Sequence, residues 1–528
     1  MLLSAVSFNK NYYLKAFIII FLFWSLILVT SGSLFSGYHF TDDHEIIDIY
    51  HDINFLKLNL LDEIIKQINS DLFEFHRFRP FYYIHRVIQT RLFGINWLIW
   101  SIYNGILGIL STFFIFAFGR IIKFSLLQTV IFTSITILGS QSAIWWRLGP
   151  AETLGTFLLS IVLMLITTSI KTDKGKILYE VLFVTFTLLM SLCKESFVVT
   201  IPAILFIKVW LYGETNNTSL QQSLKDNMLP IVVLSLTFLA EIILVKLFVG
   251  TEFAYAGLEI NFTNLIKSIR GYGYGSTLPL MTLITIGLLS IKSRRIYSPS
   301  YKNVYCLYFL FFIMVLPQIV IYTKTGISER YILPGILGYS FLIAGLIKFF
   351  DQQLKIVGKL LALILIIAIS LKLNMAFYSA RDFAEEGRNT TALLRTIEAN
   401  TVPNSPILIV VNPWSHYEWS VSIQRYLNYV AKRNNLYFVT YGSKNTDFYT
   451  NVFLDTEKLF SFLDPEEIKK YYEYRTIEKV KNKKNIQCIV VFPNLRNDFL
   501  KKSSDWFSLK KYKENKMINF HIYSSLRS

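Results

Sequence analysis

The stretch "FTDDHEIIDIYHD", residues 40–52, sets Asp42, Asp43, His44, Glu45, Asp48, His51 and Asp52 directly after the first long apolar run of the chain. Adjacent carboxylates repel one another, and backbone torsion alone asks for neither. At a membrane mouth such a pair has two chemical uses. It can take the proton of an incoming hydroxyl, or it can hold a hard divalent cation such as Mg²⁺ or Mn²⁺. "SERYILPG", residues 328–335, offers a second kind of chemistry. Arg330 is a forked, permanently charged donor suited to a phosphate, and Tyr331 stands beside it.

Two further runs add charge near apolar segments. "WWRLGPAET", residues 145–153, holds Arg147 and Glu152 beside two tryptophans, and those two charges could pair with each other. "SLCKESFVV", residues 191–199, holds Lys194 and Glu195, a point charge for a phosphate or a turn pinned by its own ion pair. "KSIRGYGYGS", residues 267–276, has glycines but neither the spacing nor the preceding strand of a nucleotide-binding loop, and reads as a flexible loop. Glu241 sits inside an apolar segment with Lys246 about one turn beyond, as a structural pair would. "VVNPWSHYEWS", residues 410–420, follows a strand-like run. Trp414, His416, Tyr417 and Trp419 could stack a sugar there or pack the loop down on the membrane.

The elements that position these residues belong to a membrane protein. The 528 residues are 53% hydrophobic and 16% aromatic, with only 17% charged and a mean hydropathy of +0.42. Soluble domains carry about 25% charged residues. Apolar runs long enough to cross a hydrocarbon core recur near 13–35, 95–118, 124–143, 151–170, 177–193, 195–213, 228–249, 276–291, 303–322, 331–349 and 356–376. The first is too long for a signal-peptide core and is kept as a span.

The net charge of +17 does not call for nucleic acid. Its cations, among them Lys10, Lys15, Arg120, Lys123, Lys171, Lys176, Arg294, Arg295 and Lys355, gather in short loops that would face the cytoplasm and anionic lipid. That bias puts the N-terminus inside, and eleven spans then put everything after Phe377 outside with the acidic stretch. Three scattered cysteines, Cys193, Cys306 and Cys488, give no disulfide framework and no metal site. Residues 1–376 form the expected membrane domain, with a first external loop at about 36–94. Within that loop "LKLNLLDEIIKQI" is an amphipathic segment suited to a membrane surface. Residues 377–528 turn polar, and "ILIVV", "LYFVTYG" and "IQCIVVF" read as strands of a small α/β domain, with "WSVSIQRYLNYVAKR" as a helix.

In these motifs the chain resembles the GT-C superfamily of membrane glycosyltransferases, which includes protein O-mannosyltransferases, oligosaccharyltransferases and aminoarabinose transferases. "FTDDHEII" stands where that class carries an acidic pair, in the first external loop directly after the first span. "SERYILPG" is similar to an Arg-Tyr-x-x-Pro pattern of a late external loop. Lys-Glu turns and a short hairpin like "WWRLGPAET" also occur in the class. The resemblance implies an inverting transferase in a bacterial inner or plasma membrane that uses a polyprenyl-phosphate sugar donor. The acceptor would be a hydroxyl of a glycan, lipid or protein.

It implies Asp42 or Asp43 as the base; His44, Glu45 and Glu152, with Trp414 and His416 of the tail loop, are the residues read as support for the acceptor. Arg330, Tyr331, Lys194 and Arg147 would hold the donor phosphate. The class has members with and without a metal, so a Mg²⁺ or Mn²⁺ on the Asp pair is left open. The competing expectation is a transporter or flippase of a lipid-linked glycan, which would bury its ionisable groups at the bilayer midplane.

Overall fold

The computed structural model describes residues 10–73, 77–172, 175–249, 262–274, 300–323, 327, 329–353, 355–412, 416–440, 486–504, 507–516 and 520–526. Helices cover every expected span except that near 276–291, which lies outside the described residues. Among the described residues seven helices are long and apolar enough to cross a membrane: Asn11–Ser31, Trp97–Ile121, Ala151–Lys171, Glu195–Asn216, Met228–Leu247, Asn303–Ile321 and Leu361–Ala399. The segment expected at 124–143 is shorter than a span. Its helix, Leu126–Ile137, is opened by a Ser125–Gln128 capping box and gives way to a 3₁₀ turn, Ser140–Trp145, beyond Gly139 at φ +112°. Only glycine takes that φ without strain.

By contact the chain divides into two compact units, each described by itself. One comprises Met1–Ser31, Asp71–Tyr83 and Ser101–Arg381; the other comprises Gly32–Ser70, Ile84–Trp100 and Asp382–Ser528. The grouping differs from a simple division at 376/377: most of the first loop counts with the tail. The expected boundary also falls inside one continuous helix, Lys355–Ala399.

In the first unit small residues set the helix packing. A Cβ on Gly338 would lie 2.7 Å from the Cβ of Met314, and one on Gly345 would lie 2.3 Å from Leu307 Cδ1. The Ser300–Ile321 and Ile336–Gln353 helices therefore approach more closely than bulkier residues would allow. Thr136 Oγ1 donates to Ser340 Oγ (2.8 Å), and Gln128 Nε2 donates to Asp351 (2.9 Å), fastening the Leu126–Ile137 helix to Ile336–Gln353.

The second unit is built on a five-stranded sheet of order β2-β1-β3-β5-β4: β1 Ile407–Val411, β2 Leu436–Thr440, β3 Cys488–Val491, β4 Tyr512–Lys516 and β5 His521–Ser525. β2, β1 and β3 run parallel, whereas β5 and β4 are antiparallel additions. β1 and β3 are buried along their whole length, as their unbroken apolar sequences require of central parallel strands. The sheet shares one apolar core with Tyr38, Phe40 and Ile47 from the first loop and with Leu393, Leu394 and Ile397. The Asp43–Asn54 helix buries Ile46, Ile47, Ile49 and Ile53 on one side. The "LKLNLLDEIIKQI" segment becomes helical from Leu60, within the Leu60–Phe73 helix.

Candidate functional site

Asp42 and Asp43 open the Asp43–Asn54 helix, and the fold treats them differently. Asp43 is buried, 2% exposed, and its Oδ2 accepts the backbone N–H of His39 at 3.1 Å. Burial drives its pKa well above the usual carboxylate value, against the opposing pull of that hydrogen bond and of Arg86. Asp42 is partly exposed at φ +27°, a conformation that costs an L-residue on the order of 1–3 kcal/mol. Two partners hold it there. Its N–H donates to Glu418 Oε1 (3.1 Å), and its carbonyl accepts from Arg86 Nη2 (3.4 Å). Arg86 is itself buried, with its guanidinium 4.9 Å from the Trp100 ring centre.

His44 is engaged by Ser422. Its Nδ1 lies 3.0 Å from Ser422 Oγ, whose hydroxyl donates to Phe40 O, so Nδ1 is the donor of that pair. Burial and the neighbouring Arg425 lower its pKa to about 3, so the ring is neutral. Glu45 lies in the first turn of the helix, where a carboxylate meets the positive end of the helix dipole. His416 is 7% exposed, stacked on Trp419, and accepts the Asn412 N–H at Nδ1 (3.2 Å). It packs against Phe492 in the sheet core. Trp414 lies outside the described residues.

The first unit holds a separate cluster of charges. Glu152, 2% exposed in the first turn of the Ala151–Lys171 helix, is paired with Lys194. Its Oε1 is also 4.0 Å from Arg330 Nε. Lys194 Nζ lies 4.4 Å from the Tyr331 ring centre and Arg330 Cζ lies 5.4 Å from the same ring. Two cations thus share one carboxylate and one aromatic face.

The pairings within short motifs do not form. Arg147 pairs with Glu329 (3.7 Å), half-exposed, instead of with Glu152. Glu195 takes Arg77, which donates through Nε (3.3 Å) and Nη2 (3.2 Å), instead of Lys194. Glu241 accepts from Ser191 Oγ (2.7 Å), and Lys246 is exposed. Trp145 and Trp146 are buried rather than a membrane-interface belt: Trp145 packs against Trp24 and Gly108. "KSIRGYGY" is helical, within Phe262–Tyr274, and not a loop.

Sequence reasoning passed over "RFRPFYY", residues 77–83. Arg77 meets Glu195, Arg79 forms a forked pair with Asp71 (3.1 and 2.5 Å), and Tyr82 donates to Gly149 O (2.8 Å). Two arginines before a proline at a helix start were the available signal. For a metal, the residues present are a poor fit. Among the described residues no three His, Cys, Asp or Glu side chains are grouped to hold one, and Asp43 is committed to a backbone amide.

No protein-family model matches the chain, and no curated protein matches it by sequence. Among solved structures it is similar to ArnT from Cupriavidus metallidurans bound to undecaprenyl phosphate, with a TM-score of 0.50 at 12% identity over 98% of this chain and 99% of that one. The apo form of the same protein aligns with a TM-score of 0.47 at 13% identity, over 97% and 98% of the two chains. An Archaeoglobus fulgidus oligosaccharyltransferase tethered to an acceptor peptide aligns at 0.44 and 12% identity, over 98% of this chain and 74% of that one. At such identity the ArnT likeness is one of fold, and it runs the whole length of the chain.

Proposed function

We propose that the chain is an inverting membrane glycosyltransferase that moves a sugar from a polyprenyl-phosphate donor to a hydroxyl of a cell-envelope glycan, lipid or protein. The observation that carries this reading is the Lys194–Glu152–Arg330 cluster with Tyr331 beside it. Lys194 and Arg330, gathered around one carboxylate and one aromatic ring, offer a phosphate a point charge and a forked donor. The ArnT fold supports the reading, since the ArnT structure was solved with undecaprenyl phosphate.

In the reaction the acceptor oxygen attacks the anomeric carbon as its proton passes to the Asp42 carboxylate. The bond from that carbon to the phosphate oxygen breaks, and polyprenyl phosphate leaves with the electron pair. Lys194 and Arg330 stabilise the charge that grows on the leaving phosphate. Asp42 takes the base role because it is the accessible member of the pair; Asp43 is buried and inclined to stay protonated. Arg147, in the same unit, is the further cation assigned to the donor phosphate. The tail lies on the outer face of the membrane, with the N-terminus in the cytoplasm.

Mass spectrometry of envelope glycans from cells with and without the gene tests the reading. A glycan, lipid or protein lacking one sugar in the deletion strain is the expected result. A deletion that leaves every sugar in place, while a complete lipid-linked glycan accumulates, would instead indicate a transporter.

A further inference from the structure

We propose that a polar cleft at the carboxyl edge of the sheet in the second unit binds an anionic saccharide, one bearing a carboxylate or a phosphate. Asn494, Arg496, Asn497, Glu514, Lys516 and His521 line it, around a volume of about 660 Å³. That is a usual size for a small-molecule site.

Sheet register builds the cleft. Val491 at the end of β3 pairs with His521 at the start of β5, and His521 pairs with Lys516 at the end of β4. Directly opposed residues share a face, and Glu514 lies two residues back on that same face. The turn after β3 then brings Asn494, at φ +63°, and the start of the Arg496–Lys502 helix to the same edge. The carboxyl ends of parallel strands are where open α/β sheets take ligands.

The polar groups are arranged in advance. Glu514 Oε1 accepts from Arg496 Nε (3.0 Å), from Tyr523 (3.2 Å) and from His521 Nδ1 (2.9 Å); Glu514 Oε2 accepts from Arg496 Nη2 (3.1 Å). Arg496 holds the Glu514 pKa down to about 2, with His521 adding to the effect, so this anchor stays charged at any ordinary pH. Exposed ion pairs of this kind contribute little to stability. Their effect here is to fix the arginine and the imidazole around an open space.

Lys516 is exposed and has no ion pair among the described residues, which leaves a positive charge at the rim. Asn494 and Asn497 are exposed amides, each able to donate to and accept from a sugar hydroxyl. Among the described residues every lining side chain is polar or charged, which suits a saccharide rather than a lipid chain. If the chain is a glycosyltransferase as read above, the ligand is part of an anionic acceptor glycan.

Calorimetric titration of the full chain in detergent with glucuronate, glucose 6-phosphate, glucose and inorganic phosphate tests the site. Both anionic sugars should bind about tenfold or more tighter than glucose. Lys516→Gln and Asn497→Ala, surface changes that spare the core, should each weaken them several-fold. Three outcomes would overturn the assignment. They are anionic sugars binding no tighter than glucose, inorganic phosphate binding as tightly as glucose 6-phosphate, and neither variant having an effect. Sugar transfer by the same preparations separates the two readings. Lys516→Gln should impair transfer to an anionic acceptor and spare a neutral one. Should transfer to the anionic acceptor be unimpaired, the acceptor role is overturned. Should the wild type transfer nothing, the transferase reading fails while calorimetry still decides the cleft.

Discussion

The backbone amide of Asp42 donates to the carboxylate of Glu418, a residue 376 positions further along the chain. That contact, with Arg86 on the Asp42 carbonyl, holds a non-glycine residue at φ +27°. Backbone held in so sparse a region persists where the surroundings insist on it, and such positions cluster at working sites. Glu418→Ala should let Asp42 relax and lower turnover about tenfold, with little change in melting temperature because Glu418 is exposed. Glu418→Gln keeps an acceptor for the amide and should recover most of the activity. Equal activity in wild type and Glu418→Ala would show that the constraint on Asp42 has no catalytic use.

The buried Asp43 makes a prediction about pH. Burial raises its folded-state pKa above the unfolded value, so the native state binds the extra proton. The stability this contributes is complete below the unfolded pKa, near 4, and is lost as pH rises through the higher folded value. Asp43→Asn removes the titration while keeping shape. Melting curves from pH 5 to pH 9 should show the variant gaining on the wild type toward high pH. A parallel pair of curves would remove Asp43 as the source of any such slope.

Arg330 and Lys194 differ in what they offer a phosphate. Arg330→Lys keeps the charge and loses the fork, and the KM for a polyprenyl-phosphate sugar should rise about tenfold or more. Lys194→Met leaves Glu152 buried with Arg330 as its remaining partner. Loss of one member of a buried pair costs about 3–5 kcal/mol when nothing replaces it. Part of that should be spared here, and Lys194→Met paired with Glu152→Gln should be more stable than Lys194→Met alone. If the double variant melts below the single one, Glu152 is not balanced by Lys194.

The membrane class and the three parallel strands were legible because their signals are local: long apolar runs, and short β-branched ones such as "ILIVV". β4, "YKENK", was not, because an edge strand with charged residues carries no apolar alternation. The acidic pair, the "SERYILPG" arginine and Lys194 stood out as residue types at apolar boundaries. Their partners did not. Lys194 was read beside Glu195 but pairs with Glu152, 42 residues away, while Glu195 takes Arg77, 118 residues away. Charge pairing across helices depends on which turns the fold brings level, and neighbouring positions in sequence say little about that.

Asp42 as the base that activates the acceptor hydroxyl is most directly tested by turnover of purified Asp42→Asn protein with a radiolabelled polyprenyl-phosphate sugar. General-base help is typically worth about 10² to 10⁴ in rate. The variant keeps size and polarity, and Lys194 and Arg330 are untouched, so donor affinity should match the wild type while turnover falls by about that factor. Full turnover in Asp42→Asn, with Asp43→Asn equally active, would contradict the account.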